Sequence, residues 1–298
     1  MAGWILFDGM NLAFRCFHAV PELARSDGFP TNALHGWVRS LWRVQDEHRP
    51  EDAVVVFDFG EDPKKKELLP AYKENRKAMP EGLARQLPFL KESARLMGFR
   101  TVELFETEAD DLIATLADRL AKEGRDVLIV SSDKDFAQLV NPRIRMLLPA
   151  AGPRSKGSGA ILDERGIEEK YGVPPERIAE LLALVGDSSD NIPGLAGVGP
   201  KTAAKWLREY GGLEGILAHA GSLEPKRFRQ KVADGTPMLR RNLELTRLNP
   251  AVELPELEPA KCEPEKLYAI LEQMEMKGVL GDARRRLGDS REPHPDSS

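Results

Sequence analysis

Five short apolar runs punctuate the first half of the chain, at residues 3–7, 53–57, 100–105, 126–130 and 144–148. They are nearly continuous in Val, Ile, Leu and Phe, as strands buried on both faces of a sheet are. Between them the spacing changes to that of helices. Leu12, Phe14 and Phe17 follow the first run, and an amphipathic stretch spans 31–47. Leu83, Leu87, Leu90, Ala94 and Met97 line one side of a helix opened by Pro80 and closed by Gly98. Leu112, Ile113, Leu116 and Leu120 mark another, with Thr107 placed as its N-cap. Strands alternating with helices predict an α/β fold with a doubly wound, mostly parallel sheet. Crossover connections bring the carboxyl ends of such strands to one edge.

Residues 149–160 are rich in Gly, Ser, Pro and basic side chains, which predicts a flexible loop or linker. Beyond it no strong strand pattern recurs. Helices are expected at 175–185, 213–218, 226–233, 237–248 and 264–276. The polar tail from Gly288, with its prolines, is expected to be disordered. The chain thus divides into a sheet domain at 1–160, a helical module at 161–287 and a tail at 288–298.

A net charge of −5 over 298 residues argues against a generally basic nucleic-acid coat protein, although local patches matter more than the sum. Cys16 and Cys262 have no pairing pattern and are expected to be free thiols in a reducing compartment. The first apolar run is short and interrupted by Asp8, so no signal peptide is expected, and no segment has the length to cross a membrane. A cytosolic monomer is the expectation.

The acids change the picture. Asp8 and Asp58 end the first two runs, Asp133 and Asp135 follow the fourth, and Glu108, Asp110 and Asp111 open the helix after the third. Taken alone, the 108–111 cluster suits a helix N-terminus. Converging on one edge, the same carboxylates become oxygen ligands for Mg²⁺ or Mn²⁺. Asp187 and Asp190 add two more downstream. Residues 59–79 hold Lys64, Lys65, Lys66, Tyr72, Lys73, Arg76 and Lys77. This is either a solvated loop or a clamp on a phosphate backbone, with Tyr72 as a stacking face. At 197–202, Gly197 and Gly199 permit close backbone approach and Pro200 suits a first helical turn. With Lys201 and Thr202, this makes a phosphate site at a helix start, the pattern of a helix–hairpin–helix-like DNA backbone binder. The five histidines have no metal-ligand spacing.

ILFDGMNLAFR at 5–15, VVFD at 55–58, YKENR at 72–76, TEADDLIA at 107–114, SSDKDFAQL at 131–139 and GDSSDNIPGLAGVGPKTA at 186–203 stand in an order that resembles the 5′ nuclease (flap endonuclease) family. The likeness is strongest to the bacterial 5′–3′ exonucleases that are also found fused to DNA polymerase I, and it covers roughly residues 3–285. The resemblance implies a PIN-like domain and a two-metal site. Asp8, Asp58, Glu108, Asp110 and Asp111 would hold or surround one ion, and Asp133, Asp135, Asp187 and Asp190 would serve the other. It implies a helical arch at 60–80, with Lys73 and Arg76 steering the scissile phosphate and Tyr72 stacking on a terminal base. It also implies a helix–three-turn–helix element at about 178–210, gripping duplex DNA and holding K⁺ through carbonyls around Leu184, Val185, Pro193, Leu195 and Val198. Lys64-Lys65-Lys66 stands where relatives often carry a Phe-Arg pair, so Lys65 is expected to replace an Arg contact without its bidentate geometry.

The implied protein is a stand-alone, active enzyme that hydrolyses DNA near a 5′ end or flap base, with a DNA polymerase as a potential partner. A non-catalytic binder of branched DNA would have lost carboxylates. A metal-dependent ribonuclease would not need the Gly-Val-Gly-Pro-Lys-Thr turn, and a small-molecule phosphohydrolase would leave the basic segment unexplained.

Overall fold

The computed structural model describes residues 3–60, 62–150 and 157–288. The apolar runs become strands β1 (Trp4–Asp8), β2 (Asp52–Val56), β3 (Arg100–Val102), β4 (Val127–Val130) and β5 (Ile144–Pro149). With β6 (Gly159–Leu162) they form one sheet in the order β3-β2-β1-β4-β5-β6. All neighbours pair in parallel except β5 with β6. Strand order reverses between β1 and β4, which makes a crevice at the carboxyl ends of those two strands.

Alternation along the strands feeds two cores. Ile5, Phe7, Ala53, Val55, Leu128 and Val130 face α1 (Gly9–Ala19), α2 (Asn32–His48) and α4 (Glu81–Leu96). Leu6, Val54, Val56, Val127 and Ile129 face α5 (Ala109–Lys122) and, beyond it, the helical half. Fully burying one such side chain contributes roughly 1.5–3 kcal/mol, and a one-residue slip of a strand would send each side chain into the opposite core, where it does not fit the packing.

The helical half contains α6 (Glu164–Tyr171), α7 (Ile178–Val185), α8 (Pro200–Tyr210), α9 (Leu213–Ala218) and α10 (Arg229–Thr246). α10 clamps α7: Asn242 Nδ2 donates to the carbonyls of Ala183 (3.1 Å) and Pro193 (2.7 Å), and Thr246 Oγ1 donates to that of Ala179 (2.9 Å).

Several expectations are corrected. The third run ends its ladder at Val102. β6 lies partly in the expected linker; its residues are mostly exposed, so no apolar pattern marked it. Residues 151–156 of that linker and 289–298 of the tail lie outside the described residues. The two helices expected at 226–233 and 237–248 are largely the single helix α10, which runs through Pro237 after a short 3₁₀ turn at Lys226–Phe228. The last expected helix, 264–276, ends early as α11 (Pro264–Gln273), and a helix that was not expected, α12 (Lys277–Leu287), follows it. Both return to the sheet: Leu267, Leu271, Met274 and Val279 join the core of Ile5 and Phe7, so residues 161–287 are not one separate module. Among the described residues no helix is long and apolar enough to cross a membrane.

Candidate metal and nucleic-acid site

Asp8 is both the last residue of β1 and the N-cap of α1. Its Oδ1 accepts from Asn11 N at 3.0 Å and its Oδ2 from Ser131 Oγ at 2.8 Å. Ser131 Oγ in turn accepts from Asp133 N at 3.0 Å, so β1 and β4 are tied at their ends. Asp58 Oδ1 accepts from Ala109 N at 3.0 Å. The cap of α5 therefore comes from another strand; Thr107 lies one residue too early, and its hydroxyl donates to Phe105 O instead.

Asp8, Asp58, Asp110 and Asp133 line one open cleft of about 630 Å³, together with Lys73 and Arg76. Asp8 and Asp110 bind protons more tightly than ordinary carboxylates. Burial, reinforced by Asp58 and Asp133, pushes the Asp8 carboxyl up to about 7. Burial, then Asp133 and Asp8, puts Asp110 well above the usual carboxylate range.

A second group sits beside it. Oxygen atoms of Asp135, Asp187 and Asp190 lie within 4.8 Å of one another. Burial, with Asp133 next, pushes Asp135 up to about 8, and its Oδ1 is buried without a hydrogen-bond partner. Burial also works against the charge on Asp187, but Lys134 Nζ at 2.6 Å and Ser189 hold it below its ordinary range. Crowded, mutually repelling carboxylates and one orphaned oxygen suit hard divalent cations.

Glu108 and Asp111 are not in these groups. Burial opposes the charge of Glu108, yet Lys73 and Lys65 hold its carboxyl down at about 2. Lys65 Nζ donates to Glu108 Oε2 at 2.7 Å, and Lys73 Nζ donates to Oε1. Asp111 Oδ1 accepts from Asn249 N at 2.8 Å, which anchors the chain after α10. Asp111 Oδ2 lies 3.4 Å from Lys65.

The 60–80 segment does not stand free as an arch. It forms the short helix α3 (Pro63–Leu68) and a run of turns folded onto residues 188–192. Lys73 N donates to Asp190 O (3.0 Å), Asn75 Nδ2 to Ser188 O (2.7 Å), and Asn191 Nδ2 to Ala71 O (2.7 Å). Tyr72, expected as a stacking face, is only 1% exposed. Its ring packs with Ile192 and Leu245, and its hydroxyl lies 3.2 Å from Glu108 Oε2 and 3.1 Å from Asp190 Oδ2. Lys65 is buried as well, so neither side chain is offered to a strand passing outside. Arg76 is half exposed and donates to Asp190 Oδ1 at 2.6 Å.

The 186–203 turn is built on close backbone approach. Gly186–Asp187 pairs antiparallel with Ile192–Pro193, and a Cβ on Gly194 would lie 2.0 Å from Val185 O. Of the carbonyls expected to hold K⁺, those of Leu184, Pro193 and Leu195 already accept from Leu195 N, Asn242 Nδ2 and Val198 N. Each carbonyl oxygen keeps a second lone pair. Gly197 (φ 84°) and Gly199 lead into α8, where Lys201 is exposed and Thr202 half-buried. Lys201 and Thr202 are not among the residues lining the acidic cleft.

Met10, Phe14 and His18 were not expected at the site from sequence, where Phe14 served only to mark a helix, yet they line the cleft. Their four-residue spacing on the helix that Asp8 opens is the signal that could have found them. Ser131, Asn11 and Lys134 position acids; they lie inside the 5–15 and 131–139 motifs, but no role was expected of them individually.

The model of the 5′–3′ exonuclease N-terminal resolvase-like domain matches residues 3–172, and that of the 5′–3′ exonuclease C-terminal SAM fold matches residues 173–268. The chain is 37% identical over 279 residues to a 5′–3′ exonuclease of Aquifex aeolicus, covering 92% of this chain and 93% of that protein. It is 39% identical over 282 residues to DNA polymerase I of Rhizobium leguminosarum, covering 91% of this chain and 27% of the polymerase. The chain thus spans about a quarter of that relative's length. Among solved structures it resembles the flap endonuclease of bacteriophage T5 in complex with DNA and metal ions, with a TM-score of 0.66 and 21% identity over 95% of this chain and 97% of that one. At that identity the likeness is one of fold.

Proposed function

Because the chain belongs to the 5′–3′ exonuclease family, whose members are metal-dependent nucleases, we propose that it hydrolyses DNA phosphodiesters at 5′ ends and at the base of single-stranded 5′ flaps. One observation carries the proposal: two carboxylate groups, Asp8–Asp58–Asp110–Asp133 and Asp135–Asp187–Asp190, adjoin at one sheet edge, and the cleft of the first is also lined by Lys73 and Arg76. Each group would hold one divalent ion, proposed as Mg²⁺. Such ions supply a hydroxide at neutral pH and a positive clamp on the leaving oxygen. The protein's part is to orient and neutralise. The hydrogen bonds from Asn11, Ser131 and Ala109 fix Asp8 and Asp58, so their charge is aimed before substrate arrives. Arg76, half exposed at the cleft, would take a phosphate oxygen, and Lys73 would add charge behind it. No protein side chain need act as a covalent nucleophile.

The exposed first turn of α8 would grip duplex backbone, with K⁺ proposed at the second lone pairs of the 184–198 carbonyls. A matching region within a longer polymerase chain supports a DNA polymerase as partner.

The test is cleavage of a 5′-labelled flap duplex with Mg²⁺, beside Asp133→Asn. Cutting near the flap base by wild type, lost in the variant while DNA binding persists, is expected. Binding without cutting by wild type in Mg²⁺ or Mn²⁺ would leave only a structure-binding protein.

A further inference from the structure

Tyr72 offers no stacking face, but two other aromatic rings beside the acids do. Phe59 is 49% exposed and Phe105 is 64% exposed, and they are two of the four exposed large apolar side chains among the described residues. Their rings meet edge to face with centroids 5.4 Å apart. Phe59 directly follows Asp58, and Phe105 precedes Glu108 by three residues and Asp110 by five. Each of the two segments thus carries one cleft carboxylate, Asp58 or Asp110, and the Asp58 Oδ1 to Ala109 N bond ties the segments together.

The pair is held in place. Phe59 forms backbone bridges to both Phe105 and Thr107, and Glu106 N donates to Phe59 O at 2.8 Å. Glu106 adopts φ 57°, a left-handed conformation that costs a non-glycine residue about 1 kcal/mol or more. The backbone thus keeps two large apolar side chains in water, one of them next in sequence to the cleft-lining Asp58, where burial would otherwise be favoured. α3, with exposed Lys64, starts only three residues after Gly60.

We propose that Phe59 and Phe105 form a stacking platform for the unpaired bases of the strand whose phosphate enters the cleft at Asp58. This rests on the nuclease function proposed above and names the part of the substrate it would hold. An aromatic face accepts any base, which fits an enzyme that recognises strand structure rather than sequence. The position of Phe59 directly after Asp58, which lines the cleft, and the exposed lysine nearby favour a nucleic acid over an apolar protein segment.

The experiment uses the full chain, chelator to prevent cutting, and a 5′-flap duplex with 2-aminopurine in the unpaired positions next to the junction. Wild type should quench the probe. Phe59→Ala/Phe105→Ala together should abolish quenching and weaken flap binding roughly five- to a hundredfold. Phe105→Tyr should restore both, and a flap with abasic sites at those positions should bind wild type as weakly as the normal flap binds the double variant. Unchanged flap binding by the double variant overturns the proposal and leaves the pair to a protein partner. An equal loss on a blunt duplex without an unpaired strand also overturns it. Wild-type cleavage with Mg²⁺ is run alongside. If wild type does not cut, the nuclease function fails; if it cuts and the double variant binds normally, only the platform fails.

Discussion

Replacing Asp8 by Asn should stabilise the metal-free protein near and above neutral pH while removing its activity. Burial, partly opposed by the hydrogen bonds from Asn11 and Ser131, holds the Asp8 carboxyl at about 7 against an ordinary 3.8. Between those values the folded chain keeps a proton that the unfolded chain has released. Stability therefore falls as pH rises through that window, and the loss is complete above it. At 1.36 kcal/mol per pH unit, the difference sets a ceiling of roughly 4 kcal/mol. Asn keeps a carbonyl oxygen for Asn11 N and can place its amide on Ser131 Oγ, so charge changes and geometry does not.

The assay is urea or thermal denaturation in chelator across pH, repeated with a divalent ion. Wild type and Asp8→Asn should coincide near the ordinary Asp pKa and separate by about 2–4 kcal/mol above neutrality, on the order of 5–15 °C in Tm. A bound divalent ion then adds RT ln(1 + [M]/Kd) to wild type and less to the variant, closing the gap. A variant less stable than wild type in chelator at alkaline pH, or a gap that ignores pH, would refute the argument that these acids are held against their own repulsion.

Three further outcomes are expected. Tyr72→Phe removes a hydroxyl that serves both Glu108 and Asp190 and should destabilise by about 1–3 kcal/mol in urea denaturation; wild-type stability would mean the hydroxyl is idle. Gly194→Ala places a Cβ 2.0 Å from Val185 O and should cost about 3 kcal/mol and weaken duplex binding by fluorescence anisotropy, whereas an unaffected turn would contradict its tight construction. Leu271→Ala should cost about 2–5 kcal/mol by thermal denaturation, because α11 belongs to the core of β1; a loss under about 1 kcal/mol would mean the last helices only decorate the surface.

The central sheet was legible because parallel strands buried on both faces leave uninterrupted apolar runs. β6 left none, since it lies at an edge with its side chains mostly in water. α10 was split on paper because Pro237 ordinarily breaks a helix. Its packing on α7, through Asn242 and Thr246, overrides that local preference. α12 escaped because two glycines weaken its helical signal, while its burial against α2 is a long-range fact.

The acids show the same boundary more sharply. Sequence placed seven of them at one edge because topology alone sends strand ends there. It could not say which would be neutralised by the protein itself. Glu108 and Asp110 are two residues apart on one helix start, yet the first meets two lysines from the 60–80 segment and the second meets Asp8 and Asp133. The helical step rotates successive side chains by about 100°, so neighbours in a run face different partners. One carboxylate is thereby kept ionised with its charge spent on Lys65 and Lys73, and the other is left uncompensated beside like charges. Asp8 and Asp110 are left beside like charges and have a use for cations, whereas Asp187 and Asp190 keep Lys134 and Arg76 as partners, and only packing draws these distinctions.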